Sequence, residues 1–245
     1  MTRAVLVTGA SRGIGRAVAT VFAETGDRVA VHYSSRREEA QRTLAALPGS
    51  GHVLIGGDIS TPDGAKLVVD TAIDALGGVD VLVNNAAVNL AQPVADTSYE
   101  QWQRIWRQTV DVNLIGTANV SFLVARNMIE RGVPGRIVNI GSRGAYRGEP
   151  DHVAYGATKA GAQSLAQSLA VALAPYGIGV AAVAPGFVAT ERVADRVTDA
   201  VKGQSPFGRV AEPHEIAAAV RYLASAEAIW SAGTVLDVNG ASYLR

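Results

Sequence analysis

Tyr155 and Lys159 open the stretch YGATKAGAQSLAQSLAVALAP with a phenol and an ammonium four residues apart. Four residues is close to one helical turn, so on a helix the two side chains share a face. A free phenol, with a pKa near ~10, is a poor proton donor or acceptor at neutral pH. An ammonium about 4 Å away favours the phenolate by roughly 4 kcal/mol at intermediate dielectric, or about 3 pKa units. The pair then becomes an acid–base group suited to an oxygen that gains or loses a proton. A plainer reading is a half-buried ring beside a solvated charge. The rest of the chain decides between them.

The chain has 245 residues, a formal net charge of zero and no cysteine. Its length fits one large domain, and no linker, repeat or charge block divides residues 1–245. Balanced charge leaves no basic footprint for nucleic acid. Without cysteine there are no disulfides or thiolate metal sites, and the four histidines (His32, His52, His152, His214) lack ligand spacing, so no metal is expected. The start, MTRAVLVTGAS, runs straight into an apolar strand with no cleavable apolar region, and no apolar run would span a bilayer. The expectation is a soluble cytoplasmic protein without nucleic-acid or membrane partners.

The elements that must position the pair follow from periodicity. AVLVTG, RVAVHY, HVLIGGDIS, VDVLVNNAA, GRIVNIGS, IGVAAVAPG and GTVLDVNG read as seven strands, several of them apolar throughout. Amphipathic segments lie between them: one stopped by Gly26, one ended by Pro48 and Gly49, and one capped by Ser60 or Thr61. Further helices run from Trp102 to Met128, through Lys159 to Ala174, and from about Pro213 to Ser225. This alternation predicts an α/β fold, a doubly wound, seven-stranded parallel sheet in a three-layer α/β/α, Rossmann-type arrangement. Ligands of such sheets sit at the carboxyl ends of the strands.

Those ends carry suitable groups. After the first strand, TGASRGIG places Gly9, Ser11, Arg12, Gly13, Ile14 and Gly15 at a helix N-terminus, where backbone N–H groups and the helix dipole favour a phosphate. The spacing is not the usual G-x-G-x-x-G. Asp58 and Ile59 end the third strand, and Asn84, Asn85, Ala86 and Ala87 the fourth. They can close turns, and they also suit a site that admits an adenosine. Ser142 ends the fifth strand, and Pro185 and Gly186 the sixth, followed by Val188 and Thr190.

TGASRGIG, NNAA, Asn113, Ser142, Tyr155–Lys159 and APG, in that order over essentially the whole chain, resemble the classical short-chain dehydrogenase/reductase family. The resemblance implies a nicotinamide cofactor on the strand ends and a catalytic group of Ser142, Tyr155 and Lys159, with Asn113 supporting a proton relay. Ser142 would polarise a carbonyl, and Lys159 would also bond the nicotinamide ribose. A homotetramer is implied as well. An NAD site usually has an acid at the end of the second strand, but about Tyr33 there is none. Ser34, Ser35 and Arg36, with Arg12, suit a 2′-phosphate, so NADP(H) is expected.

Among family members the likeness is greatest to bacterial 3-oxoacyl-[acyl-carrier-protein] reductases, through LDVNGASYLR and SPFGRVAEPHEIAAAVRYLAS. It implies a 3-oxoacyl thioester as the ketone, carried on acyl carrier protein or coenzyme A, with residues 186–203 as a flap. Other small-molecule carbonyls (polyketide, sugar or xenobiotic) are the alternative. A nucleotide-binding regulator without turnover would not need Ser142, Tyr155 and Lys159 together. Three departures stand out. Arg131 can supply part of a basic docking patch, but the second arginine expected of such a patch is replaced by Tyr176; the region DTSYEQWQRIWRQTVDVNLIG is a few residues longer than usual; and the loop from Arg143 to His152 is unusually charged. Trp102 and Trp106, four apart, are read as packing.

Overall fold

Residues 5 to 7 of the first strand alternate in the face they bury, which is why it is apolar throughout. Leu6 packs on one side of the sheet, and Val5 and Val7 on the other. The structure, a computed structural model, describes residues 2–191, 193 and 196–244. Its strands are β1 (Ala4–Val7), β2 (Arg28–Tyr33), β3 (Val53–Gly56), β4 (Val81–Asn84), β5 (Gly135–Ile140), β6 (Ile178–Pro185) and β7 (Val235–Val238). They form one parallel sheet in the order β3-β2-β1-β4-β5-β6-β7. The order reverses between β1 and β4, which opens a crevice at their carboxyl ends.

Two helical layers cover the faces. Helices α1 (Gly13–Glu24), α2 (Arg37–Ala46) and α8 (Pro213–Leu223) bury Val18, Phe22, Ala40 and Ile216 against one face. On the other, α3 (Pro62–Leu76), α5 (Thr117–Glu130) and α6 (Val153–Leu173) bury Val68, Val124, Ala166 and their neighbours. Of the two residues expected to cap α3, Thr61 does so, accepting from Gly64 N at 3.1 Å. The small helix α7 (Asp199–Lys202) lies in the long connection after β6. Arg192, Ala194 and Asp195 of the expected flap, with Met1 and Arg245, lie outside the described residues.

The expected Trp102–Met128 helix is longer and not uniform. Helix α4 (Tyr99–Val110) passes through a π turn at Asp111–Gly116 directly into α5. The turn has local causes. The Asn113 amide is bonded outward to the backbone of Val88, and the Thr117 hydroxyl donates to Asn113 O at 2.9 Å. A Cβ on Gly116 would stand 2.6 Å from Ile59 O, so the helix passes the β3–α3 loop only because it is glycine. Trp102 and Trp106 pack on each other at 5.8 Å between ring centroids.

Gly15 corrects one expectation. It does not line the crevice; it faces the turn after β1, where a Cβ would lie 2.3 Å from Gly9 O and 2.5 Å from Asn85 Nδ2. Its function is close packing of α1 on that turn. Gly15→Ala should therefore destabilise the fold by about 2 kcal/mol despite adding a good helix former, a loss of roughly 4–8 °C in Tm. Thermal denaturation followed by circular dichroism checks this.

Candidate active site

A cleft of about 940 Å³ runs along the carboxyl edge of the sheet. At one end lie Gly9, Ser11, Arg12, Gly13 and Ile14 from the turn after β1, with Tyr33, Ser34, Ser35 and Arg36 from the end of β2. Asp58 and Ile59 follow β3, and Asn85, Ala86 and Ala87 follow β4. At the other end stand Ser142, Tyr155, Lys159, Pro185 and Gly186, and the chain then leads through Val188 to Thr190, which lies back against Gly13. Apart from Gly15, Asn84 and Asn113, the strand-end and catalytic residues expected from the sequence line this one cavity.

The turn after β1 is shaped for close approach. Gly9 and Gly13 have φ of +65° and +55°, and a Cβ on Gly9 would come within 2.9 Å of Ala86 Cα. Helix α1 starts with no side-chain cap and no acid in its first turn, so its leading N–H donors are left for a ligand. Uncapped donors, a cradle that side chains would fill and a cleft of this size fit a dinucleotide.

The asparagines that seemed suited to a ligand are mostly committed to protein. Asn85 Nδ2 donates to Thr8 O and Gly9 O, both at 2.9 Å, while Thr8 Oγ1 accepts from Asn85 N and Ala86 N. Asn84 donates to Ser121 and Asn139, tying β4 to β5 and α5. The sequence reading assigned no role to His32, which is buried between β1 and β3. Its Nδ1 accepts from Gly9 N at 3.1 Å and its Nε2 lies 3.0 Å from Gly57 O, so the neutral ring with the proton on Nε2 satisfies both. Burial lowers its pKa to about 4.

At the other end, α6 begins at Val153, so Tyr155 and Lys159 lie on its first turns. Lys159 is 4% exposed; its Nζ donates to Ile140 O at 2.6 Å and stands 5.6 Å from the Tyr155 ring centroid. Ser142 lies at the end of β5, and its Oγ accepts from Gly144 N at 3.0 Å, leaving its own hydrogen to donate into the cleft. Gln163, one turn beyond Lys159, donates to Ser142 O at 3.1 Å and so fixes that backbone. An amide in an alanine-rich helix gave no sequence signal for this.

Asn113 is buried behind the cleft, with its amide accepting from Val88 N at 2.8 Å and donating to Val88 O and Thr158 Oγ1. Its side chain anchors the cleft wall at Val88 and does not enter the cavity. Arg131 pairs with Asp80 at 2.9 Å ahead of β4, at the opposite edge of the sheet from its own chain's cleft. Tyr176 sits in a 3₁₀ turn ahead of β6, 53% exposed.

At the end of β2, the Tyr33 phenol packs over Gly56, where a Cβ would meet Oη at 2.8 Å. Arg36 reaches Glu39 at 3.1 Å. Arg16, overlooked in the sequence, spans the α1 side: it bonds Ser11 O and Thr43 Oγ1 and pairs with Glu191 at 3.2 Å. Val188 makes an isolated bridge to Ala211, which holds the start of the connection after β6 over the cleft.

This crevice at a reversal of strand order, with a serine, a tyrosine and a lysine at one end, has close counterparts. Residues 9–241 match the family model described as Enoyl-(Acyl carrier protein) reductase. The chain is 36% identical to the 3-oxoacyl-[acyl-carrier-protein] reductase FabG of Vibrio cholerae, covering 98% of this chain and 96% of that one. It is 35% identical to 3beta-hydroxysteroid dehydrogenase 1 of Eggerthella lenta, over 97% and 92% of the two chains. The structure superposes on acetoin dehydrogenase YohF of Salmonella typhimurium with a TM-score of 0.86 at 33% identity, covering 98% and 95%. The chain therefore belongs to the short-chain dehydrogenase/reductase family, whose members are oxidoreductases acting on carbonyl and hydroxyl groups through nicotinamide cofactors.

The buried His32 gives the frame a pH dependence. The unfolded chain protonates His32 near the ordinary 6.5, but the native fold only near 4, so the unfolded state takes up this proton first as pH falls. Its contribution is intact above pH 6.5 and declines toward pH 4 by roughly 3 kcal/mol. Urea titrations across that window should show the decline, and His32→Gln, which keeps an acceptor and a donor without titrating, should flatten it.

Proposed function

We propose that the protein is an NADP(H)-dependent oxidoreductase that reduces a ketone to a secondary alcohol, with Tyr155 as general acid. One observation carries this reading: Ser142 and Tyr155 face the same cavity, with the buried Lys159 ammonium 5.6 Å from the phenol ring. Bound in the cleft, the nicotinamide supplies a hydride for the carbonyl carbon. Ser142 donates a hydrogen bond to the carbonyl oxygen, and Tyr155 delivers the proton to it. Lys159 favours the phenolate that remains. Gln163 and Asn113 position Ser142 and the Val88 wall.

Gly9, Gly13 and the first turn of α1 would hold the pyrophosphate, while Asp58, Ala86 and Ala87 border the adenosine end. The residues after β2 support NADP(H) over NAD(H): Tyr33 stands in place of an acid, and Ser34, Ser35, Arg36 and Arg12 offer donors to a 2′-phosphate. Arg36, itself exposed, would exchange its half-buried partner Glu39 for that phosphate. A cytoplasmic homotetramer belongs to the same reading; among the described residues no helix is long and apolar enough to cross a membrane, and Phe122 and Val171 stand exposed on α5 and α6.

For the substrate, the likeness to a 3-oxoacyl-[acyl-carrier-protein] reductase supports a 3-oxoacyl thioester. A free small ketone is the second reading. It is favoured by Tyr176 in place of the expected arginine and by the charged pocket adjoining the cleft.

Two measurements test the chemistry. Tyr155→Phe should lower kcat by at least about 100-fold while leaving NADPH binding, followed by its fluorescence, largely intact. Unchanged reduction by this variant would overturn the mechanism. At equal low concentrations NADPH should support faster turnover than NADH, and the reverse order would refute the NADP(H) assignment.

A further inference from the structure

A second pocket of about 310 Å³ adjoins the cleft, sharing Arg143, Phe187 and Arg196 with its wall and lined also by Arg147. Arg143 directly follows Ser142 and is only 3% exposed. Its NH1 donates to Ser242 Oγ at 2.6 Å and its NH2 to Gln204 Oε1 at 2.5 Å. Arg147 donates to the same Gln204 oxygen at 3.1 Å, so two guanidinium groups converge on one neutral acceptor. Arg143 and Arg196 also stand 5.1 and 5.7 Å from the Phe187 ring centroid.

The charge of this pocket is unbalanced. Among the described residues no carboxylate lies within ion-pair distance of Arg143, Arg147 or Arg196, whereas Arg131 and Arg209 elsewhere pair with Asp80 and Glu215. Glu149 and the exposed Asp151 do line the pocket, which leaves three guanidiniums facing two acids. His152 adds no charge at neutral pH, because burial and the nearby Arg196 hold its pKa below the ordinary value. A buried guanidinium cannot shed its proton, so an arginine held only by neutral oxygens stays charged at considerable cost. One monoanion would balance the pocket, and a planar carboxylate matches the guanidinium fork. The volume is near the lower end for a small-molecule site, enough for a short acid and too little for the nucleotide end of coenzyme A.

Resting on the ketone-reductase reading above, and on a free small ketone rather than a thioester as its substrate, we propose that the substrate is an oxo acid whose carboxylate seats on Arg143, with Arg147 and Arg196 around it and Phe187 beneath its stem. The carboxylate takes the place of Gln204 as acceptor. The reaction balances as a simple reduction: the carbonyl carbon gains a hydride from NADPH, the oxygen gains a proton from Tyr155, and the carboxylate is unchanged. The product is a hydroxy acid. Arg143 is thus a specificity-determining residue, placed one position from the serine that orients the carbonyl.

The test compares short oxo acids of increasing chain length with their methyl esters and coenzyme A thioesters, following NADPH oxidation by the purified protein. The best acid should exceed its own ester and thioester in kcat/KM by about 100-fold. Arg143→Met should remove that preference. Because Arg143 also ties Ser242 and Gln204, Arg147→Gln is the second variant, with an expected loss of roughly 5-fold for the acid and none for the ester. A readout independent of turnover is Tm: the hydroxy acid product should raise it for the NADP⁺-loaded wild type and not for loaded Arg143→Met. Esters or thioesters reduced as well as the acids, with Tyr155→Phe inactive on all, would overturn the anionic pocket and leave the ketone reductase standing. NADPH binding without any acid turnover or hydroxy acid stabilisation also overturns it. Failure to bind NADPH or to reduce any ketone would remove both readings.

Discussion

The site depends on the near contact between the turn after β1 and the loop after β4. Gly9 and Ala86 approach so closely that no side chain fits between them, and backbone groups brought together this way need partners. Thr8, Asn85 and His32 supply them, from three different strand ends. Each polar side chain is used on its neighbours' backbone, so the cleft-facing side of this seam can be left to N–H groups and small residues. Specific polar residues thus hold the groove in shape. The same economy recurs at the far end, where Gln163 and Asn113 hold the backbone of Ser142 and Val88 from behind.

Much of this was legible in the sequence. Short continuous apolar runs such as AVLV and IGVAAVAP, bounded by turn residues, read as strands covered on both faces, and the seven strands assembled as expected into one parallel sheet. The strand ends were legible because glycine, serine and asparagine follow the apolar runs directly, as in TGASRGIG, NNAA and NIGS. The spacing of Tyr155 and Lys159 on one helical face also survived folding. Gly15 and Asn113 belong to the right motifs, but a motif does not say which member lines the cavity and which packs behind it.

What the sequence concealed was burial. Nothing in RVAVHY marks His32 as a neutral staple, since its partners Gly9 and Gly57 are distant in the chain. Nor does SRGAYRG distinguish a wet rim from a guanidinium enclosed by Phe187, Gln204 and Ser242. Arg131 shows the converse: a basic residue that looked available is paired with Asp80 ahead of β4. Charge can be counted from composition, but whether it is solvated, paired or stranded is settled only by long-range packing.

The π turn between α4 and α5 has a consequence for how the chain can vary. Such a turn holds one residue more than an α turn would, which offsets the angular phase of everything after it by about 100°. Thr117, Ser121 and Val124 face the sheet in the phase that follows this offset. Losing one residue at this point would restore a regular helix and swing Asn113 away from Val88. Adding one elsewhere in α4 would rotate Trp102 and Trp106 out of register with α5. The helix therefore tolerates substitutions along its outer face far better than changes in length.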